Sequence, residues 1–155
     1  MGRMSSRGVY AMNDQIGLLE AVAENTEMGK NTLAQMLPMA EDEAFRAELN
    51  RQREGYCRLN QRAHAAMAEC GGCVKGQSEW AKLNTRMGIA METLRDHSAG
   101  KLAEMLVEGS NQGVMDCVKS RREFPDAGAE ALQLSEELER FQQQNIEALK
   151  RFLGS

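Results

Sequence analysis

Apolar residues recur every three or four positions along most of this chain, which is the spacing of one face of an α-helix. The most regular row lies in the second quarter of the sequence: Phe45, Leu49, Gln52, Tyr56, Leu59, Ala63, Ala66 and Cys70. Similar rows run from Met12 to Leu37 and from Leu134 to Phe152. A seven-residue repeat of this kind favours helices that cross at about 20° in a left-handed bundle.

Helix-breaking residues divide these rows. The only two prolines are Pro38 and Pro125, and residues 70–76 contain three glycines. We therefore expect helices at about residues 14–37, 41–69 and 129–153, the first of them capped by Asn13 or Asp14. The remaining segment, about residues 78–119, would span about 63 Å as one helix, so it should break near residues 95–100.

The predicted fold is all-α, an up-down-up-down four-helix bundle with a broken or kinked third helix. A chain of 155 residues that is 42% hydrophobic can bury a core without disulfides or metal. Residues 1–11 are expected to form a disordered tail and residues 12–155 a single helical domain.

Seven glycines lie inside the predicted helices, where each costs about 0.5 to 1 kcal/mol relative to alanine. Close approach of two helix backbones would offset that cost. Gly109 and Gly113 lie one turn apart on one face. We expect Gly29, Gly109 and Gly113 to mark helix packing, and the face from Gly109 to Gly113 to join copies of the chain in a homo-oligomer.

Composition and charge exclude several partners. The net charge is −4 and the pI is about 5.3, so the cationic surface that nucleic acid needs is not expected. No run approaches the roughly 18 apolar residues of a membrane span, and the first residues lack the apolar stretch of a secretion signal. We expect a cytoplasmic protein without nucleic-acid or membrane partners, whose four cysteines are reduced.

Two stretches of the sequence carry a resemblance to known proteins. They are KLAEMLVEGSNQGV at residues 101–114 and QNIEALKRFL at residues 144–153, together with Met28-Gly29 and Leu37-Pro38. In these residues the chain resembles an uncharacterised family of small helical proteins from Firmicutes. The resemblance implies the architecture of ferritin-like four-helix bundles, and it implies no activity. Cys70 and Cys73 are not part of that pattern.

A ferritin-like di-metal centre takes Glu-x-x-His pairs from two helices. The residues three before His64 and His97 are Gln61 and Leu94, so neither pair is present. A site for iron or manganese would have to use carboxylates alone, and the weak candidates are Glu27, Glu54, Glu104, Glu108 and Glu139. The simpler interpretation is that these side chains are solvated or paired with Arg and Lys.

Cys70 and Cys73 have the spacing of two zinc ligands or of a redox-active dithiol. His64 could add a third ligand, but no second Cys pair follows. Two ordinary thiols in a turn between helices are the simpler interpretation. Cys57 and Cys117 are expected to be small core residues, and His97 a surface or helix-start residue.

Four polar residues interrupt the inner rows: Gln52, Thr26, Gln112 and Asn145. Buried amides must bond to one another, so a network that sets helix register is expected. Convergence of these residues with Tyr56 would instead make a small polar pocket. The arginines at 51, 58 and 62 share one stripe, which with nearby glutamates predicts a mixed solvated face.

These patterns favour a non-enzymatic structural or interaction protein that self-associates, with no cofactor. One alternative is a ferritin-like protein that binds iron, manganese or zinc, or that handles oxidative stress, through a nonstandard carboxylate site. A second alternative is a thiol sensor that uses Cys70 and Cys73.

Overall fold

A computed structural model describes residues 6–71 and 79–155 of the chain. Within these ranges every regular element is helical. The elements are α1 (Ser6–Met36), α2 (Glu43–Glu69), α3 (Glu79–Glu92), α4 (Ala99–Glu123) and α5 (Ala129–Lys150), with a short 3-10 helix at Leu37–Met39 between α1 and α2. The all-α class predicted from the sequence is confirmed.

Side chains cap the starts of two of these helices, and a proline follows the end of one. Asp42 Oδ1 accepts a hydrogen bond from the backbone N–H of Phe45 at 2.8 Å and so caps α2. Ser98 Oγ caps α4 in the same way, with Lys101 N at 3.2 Å. Pro125 lies two residues beyond Glu123, the last residue of α4, where its missing N–H prevents the helix from continuing.

The N-terminal part of α1 differs from the prediction. The helix begins at Ser6, so residues 6–11 continue α1 instead of forming a disordered tail, and residues 1–5 lie outside the described part of the chain. Asp14 is not a helix cap. Its Oδ2 accepts a hydrogen bond from the backbone N–H of Asp126 at 2.9 Å, which ties α1 to the loop between α4 and α5.

The long third segment breaks where the sequence predicted. Residues 93–98 separate α3 from α4, and Asp96 Oδ1 accepts a hydrogen bond from Ser98 N at 2.9 Å within this break. Helix α1 contacts α2, α3, α4 and α5, whereas the main partner of α3 is α1. The third segment is therefore two helices with different surroundings.

Contacts between distant residues show the direction of each helix. Gly17, near the start of α1, lies against Phe124 at the end of α4, and Asn25 bonds to Gly113 in the middle of α4. These pairs make α4 antiparallel to α1. Tyr56 lies against Gly29 and Asn60 Nδ2 donates to Ala23 O, so α2 is also antiparallel to α1. The predicted up-down-up-down order was wrong, because α2 and α4 run in the same direction.

The parallel arrangement of α2 and α4 has a simple cause. Helix α2 ends beside the start of α1, where Cys70 and Met12 line the same surface cavity, whereas α4 begins at the other end of the molecule. There, Ser98 shares a cavity with Asp42 and Ser155. Cys70 and Ser98 therefore lie at opposite ends of the molecule, and α3 comes between them in the sequence.

Large side chains from neighbouring helices pack against several of the helix glycines. A Cβ atom at Gly29 would lie 2.6 Å from two ring atoms of Tyr56, and one at Gly55 would overlap the ring of Phe141. The two rings meet edge to face with their centroids 5.0 Å apart. The nearest neighbours at Gly29 and Gly113 are therefore side chains, not the backbone of a second helix as the sequence suggested.

Backbone approach does occur at Gly100. A Cβ atom there would lie 2.5 Å from Ser155 O and 2.9 Å from Ser155 N, so the first turn of α4 packs directly against the last residues of the described chain. No helix in the described ranges is both long enough and apolar enough to cross a membrane.

We expect Gly100→Ala to lower the free energy of unfolding by about 1 to 3 kcal/mol, since backbone atoms must move to admit the methyl group. Urea denaturation of the wild type and the variant measures the difference. The matched control is the same substitution in a chain that ends at Leu153, where the change in stability should vanish. Equal destabilisation in both chains would contradict the contact.

Candidate functional site

A cluster of hydrogen-bonded polar side chains lies in the core between α1, α2, α4 and α5. Gln142 Nε2 donates to Asn25 Oδ1 at 2.8 Å and to Tyr56 Oη at 3.2 Å. Asn25 Nδ2 donates to the carbonyl oxygen of Gly113 at 3.1 Å and approaches Cys117 Sγ at 3.7 Å. All five residues are buried, so these bonds replace those that water would make.

The cluster depends on the absence of side chains at two positions. A Cβ atom at Gly113 would lie 2.6 Å from Cδ of Gln142, and Gly29 leaves comparable room for Tyr56. Burial raises the pKa of Tyr56 above its ordinary value, although the hydrogen bond from Gln142 and the nearby polar side chains of Ser110 and Asn145 partly oppose this. The phenol therefore stays protonated at neutral pH.

A cavity of about 220 Å³ opens above this cluster. Side chains of Asn25, Gln52, Tyr56, Ser110 and Gln142 contribute its polar surface. Its larger apolar surface comes from Met28, Leu33, Met87, Met105 and Leu106. The three methionines are half-buried and stand on three different helices, whereas the two leucines are buried. The cavity is thus apolar with hydrogen-bonding groups at one side.

Gly109 gives the cavity part of its shape. It lines the cavity, and a Cβ atom built on it would meet nothing within 4 Å. Glu108 is the one ionisable acidic side chain among the described residues of the lining, and it is exposed to solvent. Lys, Arg and His are missing from the same described lining.

A second polar group lies behind Gln52. Its Nε2 donates to Glu48 Oε1 at 3.0 Å, and Arg51 Nε donates to Glu48 Oε2 at 2.9 Å. Burial alone would raise the pKa of Glu48, but the hydrogen bonds from Arg51 and Gln52 lower it below its ordinary value. Arg51 also donates to Asn145 Oδ1 at 3.0 Å, while the buried Nδ2 of Asn145 donates no hydrogen bond to any residue that the structure describes.

The structure brings together some of the predicted inner polar residues. Gln52, Gln112 and Tyr56 line the cavity, as the pocket hypothesis required, although Gln112 is exposed. Thr26 is buried elsewhere and accepts a hydrogen bond from Asn60 Nδ2 at 3.0 Å. Asn145 belongs to the group around Glu48.

Two central residues, Asn25 and Gln142, were missed by the sequence analysis. Gln142 follows Phe141 of the row in α5, and Asn25 precedes Thr26 of the row in α1. The pattern therefore put both residues outside the inner face. Helix α1 contacts four other helices, which buries more than one of its faces. The sequence signal that could have identified both residues is an uncharged amide directly beside an apolar row.

The five candidate carboxylates do not converge. Glu27 pairs with Lys30 at 3.2 Å, Glu104 with Lys101 at 3.9 Å and Glu139 with Arg121 at 2.5 Å. Glu54 is exposed on α2, and Glu108 stands at the cavity. In the part of the chain that the structure describes, no three His, Cys, Asp or Glu side chains are placed to share a metal ion.

Among the described residues, no thiol belongs to a group of side chains that could hold a metal ion. Cys70 is half-buried at the end of α2, His64 is exposed, and Cys73 lies outside the described residues. Cys117 is buried, as predicted, and burial raises its pKa to about 12, so it remains a protonated thiol. Cys57 is half-buried on α2.

Comparison with protein-family models, curated proteins and solved structures finds no match for this chain. The resemblance to a Firmicutes family stays a prediction. The site must therefore be interpreted from its own geometry.

We expect Asp116 to make the stability depend on pH. Burial raises its pKa in the folded protein to about 6, against the opposing effect of Asn25 and Ser120. The pKa of an aspartate in the unfolded chain is about 3.9. The stability that Asp116 contributes is therefore fully present below about pH 4 and is lost as pH rises through 6. Asp116→Asn should therefore raise the free energy of unfolding at pH 8 by about 1 to 3 kcal/mol.

Urea denaturation of Asp116→Asn and wild type between pH 4 and 8 measures this effect. The two curves should meet near pH 4, separate between pH 4 and 6, and keep a constant difference above that. The exposed Glu136→Gln variant serves as the control and should follow the wild type throughout. A constant difference between Asp116→Asn and wild type at every pH would contradict the assignment.

Proposed function

We propose that this chain is a non-enzymatic binding protein that holds one small, mainly apolar molecule in the cavity above Tyr56. The observation that carries the proposal is the cavity itself, which has apolar walls and hydrogen-bonding groups grouped at one side. Protein interiors are close-packed, and empty space forfeits contacts between the lining atoms. An occupant would restore those contacts.

The size of the cavity limits the occupant. A buried cavity of about 150 Å³ holds a benzene molecule, which has six non-hydrogen atoms. By the same ratio, the 220 Å³ found here would take about nine. A short branched aliphatic compound has this size, and the opening to solvent lets a slightly larger molecule, such as a fused pair of aromatic rings, protrude.

The helix order supports a ferritin-like architecture for this binding protein. Bundles of that class contain one long crossover connection, and here the chain from 70 to 98 joins the parallel helices α2 and α4. In ferritin-like metal proteins inward-facing carboxylates and histidines fill the centre. The corresponding interior carries the amides of Asn25 and Gln142. We therefore propose a ferritin-like four-helix bundle whose interior binds a small molecule instead of a pair of metal ions.

Ligand binding should depend on the space beside Gly109. We expect Gly109→Leu to weaken binding of 2-naphthol at least tenfold, because the added side chain occupies the cavity that the glycine leaves open. Fluorescence titration of the full chain measures the dissociation constant. Asn111→Leu adds the same side chain at an exposed position of α4 outside the cavity lining and should bind like the wild type.

Absence of binding to the wild type would overturn the proposed function. Equal affinity of Gly109→Leu and wild type would show that the compound binds elsewhere. Gly109→Leu also removes a helix glycine, so its thermal stability should match or exceed that of the wild type. This separates a filled cavity from a damaged fold.

Self-association is a second candidate function, with a different surface from the one predicted. Gly113 is buried against Gln142 inside one protomer and is not available to a second copy. Exposed apolar side chains instead cluster near the start of α1, where Val9, Tyr10 and Met12 are 43%, 65% and 39% exposed. We propose that a second copy of the chain covers them.

Light scattering of the full chain over a range of protein concentrations tests this second candidate. The wild type should have the mass of an oligomer, and Tyr10→Glu should shift it towards the monomer, since a charge would then be buried between copies. The control is Gln133→Glu, an exposed position on α5, which should not change the mass. A monomeric wild type at high concentration would contradict it.

A further inference from the structure

We infer that the ligand of this cavity is uncharged and carries one hydroxyl or carbonyl group that bonds to the phenol of Tyr56, with its apolar body between Met28, Met87 and Met105. The inference rests on the proposed function, because it assigns the chemical class of the molecule that the cavity takes.

The charges of the side chains around the cavity exclude an anionic ligand. Lys, Arg and His are absent from the described residues of the lining, so an anion would find no cation to pair with. Two carboxylates lie close by, Glu108 in the lining and Glu48 directly behind Gln52. The cations near them are Arg51, which is bound to Glu48, and Arg86, which lines a neighbouring surface cavity and not this one. An unpaired charge taken out of water loses far more hydration energy than these neutral dipoles return.

A cationic ligand fits no better at the polar side of the cavity. Glu108 is exposed to water, where a surface ion pair contributes little. The carboxylate of Glu48 is already bound by Arg51 and Gln52 and is only 8% exposed. The side chains that remain for a ligand are neutral amides and hydroxyls, which match a neutral polar group.

Tyr56 is the best-placed of these groups to hold a polar atom. It accepts a hydrogen bond from Gln142 Nε2 at 3.2 Å, and a tyrosine hydroxyl can in addition donate one. Since its pKa is raised by burial, the donor proton is present at neutral pH. A ligand hydroxyl or carbonyl oxygen can accept that proton, and the hydroxyl of Ser110 in the same lining is a second neutral partner.

The methionines suit the other end of the ligand. Met28, Met87 and Met105 belong to α1, α3 and α4 and are each half-buried around the cavity. Unbranched thioethers adapt to flat or flexible apolar surfaces and make favourable contacts with aromatic rings. Leu33 and Leu106 complete the apolar surface from more buried positions.

Four compounds built on one naphthalene frame test the charge and the hydrogen bond separately. They are naphthalene, 2-naphthol, 2-naphthoate and the 2-naphthylmethylammonium ion, each titrated against the full chain at pH 7 by fluorescence. We expect 2-naphthol to bind at least tenfold more tightly than either ion and about threefold to tenfold more tightly than naphthalene.

A variant of Tyr56 tests the position of the polar group. Tyr56→Phe should remove the preference for 2-naphthol over naphthalene and leave the affinity for naphthalene within about twofold, which a general loss of structure would not do. Tyr10→Phe deletes an exposed tyrosine hydroxyl on α1 and is the matched control, since its preference should equal that of the wild type.

Each outcome decides one of the two proposals. Binding of 2-naphthoate or the ammonium ion as tightly as 2-naphthol overturns the uncharged class, while the proposed function stands. An unchanged preference in Tyr56→Phe overturns the role of the phenol. Failure of all four compounds to bind overturns the proposed function itself. If Tyr56→Phe does not fold, the comparison of charged and neutral compounds on the wild type still decides the inference.

Discussion

The amide of Gln142 occupies space that the Cβ atom of any other residue at position 113 would need. This steric constraint sets how closely α4 and α5 approach, because the Nε2 atom must also reach Asn25 and Tyr56 at hydrogen-bond distance. Four helices, α1, α2, α4 and α5, are thereby aligned through one side chain. Apolar contacts alone tolerate small shifts along a helix axis, whereas these directional bonds tolerate few.

Helix α1 transmits that alignment to the rest of the molecule. It contacts every other helix, and its buried face includes Asn25, which bonds directly to α4 and α5. Helix α3 packs mainly against α1 and contributes Met87 to the cavity. The cavity therefore lies between the hydrogen-bonded core and α3.

Local features of the sequence predicted the elements well, while their arrangement in space required information that local features lack. The row from Phe45 to Ala66 is buried as expected, and the break near residue 95 lies where Asp96 and Ser98 suggested. Helix direction was missed because an apolar row looks the same in either direction. Only long-range pairs such as Gly17 with Phe124 distinguish the two orders.

The candidate site shows the same difference between residues that local sequence features identify and residues that they miss. Gln52 and Tyr56 were found because they lie in a regular row, and both line the cavity. Asn25 and Gln142 were missed because each lies one position from a row, and burial on a second face depends on which helices happen to be neighbours. Local periodicity describes one face of a helix, but a central helix such as α1 has several buried faces.

The glycines around the cavity also differ in how freely they can change during evolution. Replacing Gly113 would displace Gln142 and disturb the hydrogen bonds of three helices, so selection for folding should hold it constant. Gly109 faces open space, and single-base changes in a glycine codon encode several larger residues. Descendants of this sequence can thus alter the shape of the cavity at Gly109 while the polar groups beneath it are inherited unchanged.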